Sequence, residues 1–289
     1  MSEAIRWGIL GTGWIADLFT KDLLMAGHKV TAVGSRTAAG AQRFATQFGI
    51  ARAHASYEAL AADPEVDIIY IATPHPMHAT NAKTALLGGK HVLIEKPFTL
   101  NGDEAQQVVE LAASRGLVAL EAMWTRFLPH MVRVREILAS GVLGPIRSVS
   151  AFHVQDLPDD PAHRLNAPEL GGGALLDLGI YPISFTWEVL GQPSSIQASA
   201  RFRETGVDSQ IATIFGYASG ALAVTLSASE PPARIPRPSS APRATFRLII
   251  PGIRRPRSGF TVTRPKSSKP STRASPVAAC NSRRPRPSA

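Results

Sequence analysis

Cysteine is nearly absent. Cys280 is the only one, so no disulfide can form within the chain and a cysteine-based metal site is not expected. Long apolar runs are also missing. No stretch reaches the roughly eighteen residues a spanning helix needs, and no membrane partner is expected. The N-terminal MSEAIRWGILG enters an apolar strand at once, without the basic segment and long apolar core of a secretory signal. These absences together lead us to expect a cytoplasmic protein. Acids are missing from one region only. Residues 231–289 hold 14 Lys and Arg, no Asp or Glu, and 12 of the 23 prolines. Residues 1–230 carry 17 basic and 22 acidic residues, a net charge of −5. The formal net charge of +9 is therefore the sum of a mildly acidic body and a strongly basic tail. That tail has only Phe246 and Phe260 as aromatics. It lacks the interleaved rings on which bases stack and any nucleic-acid motif, so no specific nucleic-acid partner is expected.

What is present is regular alternation. A chain of 289 residues suits about two domains of ordinary size. From Ile5 to about Leu120, Val/Ile-rich runs read as strands: Ile5–Leu10, Lys29–Gly34, Asp67–Ala72, His91–Ile94 and Leu117–Glu121. Between them Trp14–Ala26, Ala38–Phe48, His78–Leu87 and Asp103–Ser114 show the apolar stripe of helices. Strand–helix alternation predicts a parallel sheet covered on both faces. Beyond Pro129 the pattern changes. Met131–Ala139 reads as a helix, Ile146–Val154 as a strand, and Gly172–Leu190 as a helix interrupted near Pro182. Three strand-like segments follow, Ile196–Phe202, Gln210–Tyr217 and Ala221–Ser227. This predicts a second, α+β domain with an open, largely antiparallel sheet.

Gly11-Thr12-Gly13-Trp14-Ile15-Ala16 follows the first strand and opens the first helix. Gly11 permits a tight turn, and Gly13 lets the backbone approach a pyrophosphate. Ala16 allows close helix–strand packing, while the helix N-terminus offers free N–H groups. In this βαβ setting the fingerprint predicts a Rossmann-type dinucleotide-binding domain, a doubly wound parallel sheet. The second strand ends in Ser35-Arg36-Thr37, where an NAD site usually places an acid on the ribose hydroxyl. A cation and two hydroxyls suit a 2′-phosphate instead, which favours NADP over NAD. The expected domains are 1–122 (NADP-binding), 123–230 (substrate and oligomerisation) and the 231–289 tail.

Glu95-Lys96-Pro97 closes another predicted strand, at the edge where functional residues gather in open α/β sheets. A lysine desolvated in a nucleotide cleft becomes capable of proton work near neutrality. GTGWIA, Thr73-Pro74-His75-Pro76-Met77-His78, Glu95-Lys96-Pro97 and the 172–182 segment GGALLDLGIYP occur in order. Together they resemble the Gfo/Idh/MocA oxidoreductases. Glu121-Ala122-Met123-Trp124-Thr125-Arg126-Phe127-Leu128-Pro129 is similar to one branch, the dimeric dihydrodiol dehydrogenases and NADP-dependent D-xylose dehydrogenases. The resemblance covers about residues 4–229.

It implies hydride transfer between NADP and a carbinol carbon of a sugar or cyclic diol, with Lys96, Asp177 and Tyr181 at the family's catalytic positions. Asp177 and Tyr181 are four residues apart and share a helical face. A tyrosine, with an ordinary pKa of about 10, needs a nearby cation to act as a base; Lys96 is the candidate, and Asp177 would orient either partner. His75 and His78 follow the strand where the nicotinamide should rest. Ala72, Thr73, Pro74, Glu95, Pro97, Met123 and Trp124 complete the expected cofactor contacts. His78, Trp124, Arg126 and Phe152 join the catalytic three as expected substrate contacts, and Arg147 and Arg164 are further candidates. No persuasive metal-ligand set is present. The resemblance also implies a homo-oligomer through the second sheet.

Two alternatives stand beside the enzyme. One is a non-catalytic NADP-binding sensor or regulator, which need not keep Lys96, Asp177 and Tyr181 together. The other is a catalytically impaired product of a frameshifted gene. The family likeness runs through Leu222–Ser229 and stops, acids vanish, and Gly259–Arg264 briefly looks strand-like again. A GC-rich gene read out of frame yields such a composition, and the second sheet would then be incomplete. A genuine basic, disordered tail is the bland counterpart.

Overall fold

The computed structural model describes residues 4–230 and the backbone of 243–249. The described residues fall into two units, the first ending at Ala122 and the second beginning at Met123. The tail expectation falls mainly on 231–242 and 250–289, outside the described residues, as does the 259–264 island.

The first unit runs β1 (Arg6–Leu10), α1 (Trp14–Met25), β2 (Lys29–Gly34), α2 (Ala38–Phe48), β3 (Arg52–His54), α3 (Tyr57–Ala61), β4 (Ile68–Ile71), α4 (His78–Leu87), β5 (His91–Ile94), α5 (Gly102–Ser114) and β6 (Ala119–Glu121). The six strands form one sheet in the order β3-β2-β1-β4-β5-β6, every pair parallel. This is the doubly wound arrangement expected. The strands are apolar on both faces because helices cover both. Ile9, Val33 and Tyr70 join Leu23 and Phe44 in one core. Leu10, Ala32, Ile69 and Ile71 join Leu86, Val92, Ile94 and Val108 in the other. The period-two alternation along each strand divides its side chains between the two cores.

β3 and α3 were not foreseen. β3 is a three-residue edge strand, Arg-Ala-His, mostly exposed, and α3 is only five residues long. Neither is long enough to show a period. α3 is capped by the Ser56 hydroxyl, which accepts from the Ala59 N–H at 3.1 Å, and a buried carboxylate anchors β3. Asp63 Oδ1 accepts from Arg52 Nη1 at 2.7 Å and from the Glu65 N–H at 2.9 Å, and Oδ2 lies 2.8 Å from His54 Nε2.

The second unit contains a 3₁₀ turn (Trp124–Phe127), α6 (Pro129–Ala139), β7 (Ser148–Val154), a π-helical turn (Leu175–Gly179), α7 (Ile180–Leu190), β8 (Ser195–Phe202), β9 (Asp208–Gly216), β10 (Leu222–Ala228) and β11 (Arg243–Ile249). The sheet order is β11-β7-β10-β9-β8. Only β10 and β7 pair in parallel; the other pairs are antiparallel. Met131, Val149, Ala151, Phe185, Phe215 and Ala223 form the core on one face. On the opposite face Ile214, Leu222 and Val224 are exposed.

One expectation is corrected here. The predicted interruption near Pro182 lies earlier, in the π turn. Pro182 itself sits just beyond that turn, near the start of α7. The stretch from 231 read as tail includes β11, which pairs along all of β7, from Arg243↔Val154 to Ile249↔Ser148. Among the described residues no helix is long and apolar enough to cross a membrane.

Asp63 generates a prediction. Burial raises its pKa, but the Glu65 N–H, the His54 ring and the Arg52 guanidinium outweigh burial and hold the carboxyl below its usual range. A carboxyl depressed on folding contributes stability above its unfolded pKa of about 3.9, and loses it as the pH falls through the folded value. Asp63→Asn should cost about 1–3 kcal/mol at neutral pH. Urea unfolding followed against pH should show the gap between parent and variant closing below about pH 4. A gap independent of pH would refute this account.

Candidate active site

The cradle for a dinucleotide lies where β1 ends. Gly11 has φ +104°, and a Cβ there would stand 2.9 Å from the Ala72 carbonyl oxygen at the end of β4. Only glycine fits that turn. Its N–H donates to the Gly34 carbonyl of β2 at 3.0 Å. Gly13 is the N-cap of α1 and supplies no side-chain cap, and nothing lies within 4 Å of where its Cβ would be. The first N–H groups of a twelve-residue helix thus face an open cradle, which fits an anion such as a pyrophosphate. Thr12 flanks the cradle half-buried and Ile15 likewise, while Ala16 is fully buried beneath it. Trp14 is 75% exposed.

At the end of β2, Ser35 is buried and Arg36 exposed. The Thr37 hydroxyl caps α2 by accepting from the Gly40 N–H at 3.1 Å. Its O–H remains available as a donor to a ligand. No acid stands in this segment.

On the other side of the cradle, Ala72, Thr73 and His75 are buried, and Thr73 Oγ1 accepts from Asn81 Nδ2 at 3.0 Å. His78 corrects an expectation. Its ring is fully buried, with Nδ1 2.8 Å from the Pro97 carbonyl and Nε2 2.8 Å from the Thr73 carbonyl. Burial drives its pKa down, against the pull of the two carbonyls. Both ring nitrogens face main-chain oxygens, so none is presented to cofactor or substrate. His78 instead ties the loop after β4 to the loop after β5.

The Glu95-Lys96-Pro97 segment follows β5, with a cis peptide between Lys96 and Pro97. Glu95 is half-buried. Its Oε1 accepts from the Tyr70 hydroxyl, and its Oε2 accepts from the Lys96 N–H at 3.2 Å. Burial pushes the Glu95 carboxyl up, while Tyr70 and the Lys96 charge pull it back. Glu121, at the end of β6, accepts from the Phe98 N–H at 2.9 Å. Lys96 is thus carried on a segment fixed from β4, β5 and β6. Tyr70, Asn81 and Glu121 have no place in the expected site. Glu121 was visible only as the first residue of the Glu121–Pro129 segment, and Tyr70 and Asn81 only as polar groups within a strand and a helix.

In the second unit the π turn places Asp177, which is buried. The turn is held by Asp208, whose Oδ2 accepts from the Leu175 N–H at 2.7 Å. Tyr181 lies in the first turn of α7. Its hydroxyl accepts from Trp124 Nε1 at 3.1 Å, and its ring meets the His153 ring edge-on at 4.9 Å. Trp124, expected as a cofactor and substrate contact, is a hydrogen-bond donor here. His153 was not foreseen. It is buried on β7, with Nδ1 3.2 Å from the Leu178 carbonyl and Nε2 2.8 Å from Gln155 Nε2. Phe152 is corrected by the same strand. β7 buries Val149, Ala151 and His153 on one face, so Phe152 points to the face opposite Tyr181. Met123 is buried, and Arg126 is exposed in the 3₁₀ turn. Arg147 and Arg164 are exposed as well. Among the described residues no group of His, Cys, Asp and Glu is placed to hold a metal.

A parallel sheet with a phosphate cradle at its switch point, joined to an open mixed sheet, defines a nucleotide-dependent oxidoreductase fold. Residues 5–122 match the oxidoreductase family with an NAD-binding Rossmann fold, and residues 131–235 match the GFO/IDH/MocA C-terminal domain. The chain belongs to the Gfo/Idh/MocA oxidoreductase family. It is 42% identical over 222 residues to trans-1,2-dihydrobenzene-1,2-diol dehydrogenase of Bos taurus, covering 75% of this chain and 66% of that one. It is 36% identical over 243 residues to D-xylose 1-dehydrogenase (NADP(+)) of Hypocrea jecorina, covering 74% and 62%. The chain thus spans just under two thirds of the length of these relatives. Among solved structures, an NAD binding oxidoreductase from Klebsiella pneumoniae is similar, with a TM-score of 0.77, 25% identity, and coverage of 85% of this chain and 70% of that one.

The geometry of His78 predicts a structural phenotype. His78→Leu keeps the volume and loses the link between the two loops, and should cost about 1–3 kcal/mol in urea unfolding. Unchanged stability with weakened NADPH binding would instead restore a ligand role for the ring.

Proposed function

We propose that the chain is an NADP-dependent dehydrogenase, moving a hydride between the nicotinamide and a carbinol carbon of a sugar or cyclic diol. The observation that carries this is the placing of the Gly11–Gly13 cradle and of Lys96 at the same carboxyl edge of one parallel sheet. When bound, the nicotinamide accepts or gives the hydride. The chain's own residues deal with the proton. As a carbinol becomes a carbonyl, the C–H electron pair leaves as hydride and the O–H proton must be accepted; the reverse reaction needs it returned. Tyr181 is proposed as the group that exchanges this proton, Lys96 as the cation that favours the phenolate, and Asp177 as the group that orients them. The names of the bovine and fungal relatives support the diol and sugar classes.

The preference for NADP rests on the second strand's end, where Arg36 stands exposed and no carboxylate is available to bind a ribose hydroxyl. A second copy of the chain is proposed to cover the open sheet face, whose exposed Ile214, Leu222 and Val224 make it apolar.

Two variants test this. Lys96→Ala should lower turnover by a factor of about a hundred or more in an NADPH absorbance assay with aldoses and trans-diols, and change cofactor affinity far less. Parental turnover would show that Lys96 has no chemical role. Arg36→Ala should weaken NADPH binding by about 1.5–3 kcal/mol in a fluorescence titration and leave NADH nearly unaffected. Equal losses for the two cofactors would show that Arg36 does not read the 2′-phosphate.

A further inference from the structure

We propose that Tyr70 and Glu95 form a tether that positions Lys96 relative to the phosphate cradle, a role that rests on the reading of Lys96 given above. Tyr70 is 1% exposed, in the middle of β4. It pairs with Ile9 of β1 on one side and Leu93 of β5 on the other. Its ring stacks on Phe19 of α1 with centroids 3.9 Å apart. The ring lies in an apolar core with Ile9, Leu23, Val33 and Phe44, where phenylalanine would fill the space without burying a hydroxyl. A buried hydroxyl is costly unless it meets a partner, and this one meets the Glu95 carboxylate. Burial and the adjacent carboxylate keep Tyr70 protonated, so it acts only as the donor.

The Glu95 N–H continues the β4–β5 ladder by donating to the Ile71 carbonyl at 3.0 Å. The other carboxylate oxygen accepts from the Lys96 N–H. A rigid path therefore runs from α1, which opens at the Gly13 cradle, through Phe19, Tyr70 and Glu95 to the Lys96 main chain. Tyr70 and Glu95 act through Lys96 and are positioning residues.

The test compares Tyr70→Phe, Glu95→Gln and Lys96→Ala in the full chain by three measurements: hydrogen exchange of the Lys96 amide, NADPH affinity, and turnover. With the tether cut, exchange at Lys96 should accelerate and kcat should fall about tenfold or more, since small displacements of a catalytic group are costly. In Tyr70→Phe, NADPH affinity should stay within about twofold, because the cradle's main-chain donors are untouched. Parental exchange in both Tyr70→Phe and Glu95→Gln overturns the tether. Faster exchange with parental kcat overturns its role in turnover. If Lys96→Ala keeps parental turnover, the assignment of Lys96 fails and the functional half of the tether with it. That failure is separable, because exchange at Lys96 reads the tether alone. Should Tyr70→Phe not fold, Glu95→Gln decides.

Discussion

The first unit depends on one close approach, that of Gly11 to the Ala72 carbonyl. β1 has β2 on one side and β4 on the other, and the chain reaches them in opposite directions across the sheet. The connections after β1 and β4 therefore diverge, and a crevice opens between them at the carboxyl edge. The crevice accepts a phosphate only if the backbone leaving β1 turns at once, hugging β4. A Cβ at Gly11 would push the turn away from β4, since its obstacle is main chain. With the turn made, α1 begins beside the crevice, uncapped by any side chain. Its dipole and free N–H groups point where an anion can sit. Position, charge preference and helix start all follow from that one contact.

Buried polar groups then fix the loops that surround the crevice. His78 links the Thr73 and Pro97 carbonyls, Glu95 takes the Tyr70 hydroxyl and the Lys96 N–H, and Glu121 takes the Phe98 N–H. Each joins a side chain from one strand end or helix start to the main chain of a neighbour. Loops at a sheet edge carry few apolar contacts of their own, so their order must come from such bonds. A bond left half-made in a buried place costs about 1–3 kcal/mol. The loops therefore have one well-defined arrangement, as a site that positions atoms requires.

Much of this was legible in the sequence where period and length were ample. The strands from β1 to β6, other than β3, were visible as apolar runs, and the cradle was visible as glycines between a strand and a helix. β3 and α3 carried no periodic signal; Asp63 anchors β3, while the Ser56 cap and the buried Leu60 anchor α3. Ser35, Arg36 and Thr37 were legible as residue types, but not the use of Thr37 as a helix cap. For β7 the difficulty was parity. Ser-Val-Ser-Ala-Phe-His-Val contains an aromatic and a histidine side by side, and hydrophobicity alone favours burying the phenylalanine. The smaller Val149 and Ala151 set the buried face, so the histidine goes in with them beside Tyr181. His78 was misleading for a related reason. A histidine at a sheet's functional edge invites a ligand role, yet this ring is buried with its two nitrogens against main-chain carbonyls.

The second unit shows how far backbone pairing alone carries a strand. The register of β11 sets Ala244 against His153, Phe246 against Ala151, and Leu248 against Val149, the positions of β7 on its buried face. In the sequence these three alternate with Arg243, Thr245 and Arg247, the period expected of a strand with one covered face. Ladder hydrogen bonds do not depend on side chains, so pairing by itself says little about whether a segment was selected for the place it occupies. Residues 231–289 share one composition, poor in acids and rich in arginine and proline, but they are not of one kind throughout. Residues 243–249 pair in register with all of β7.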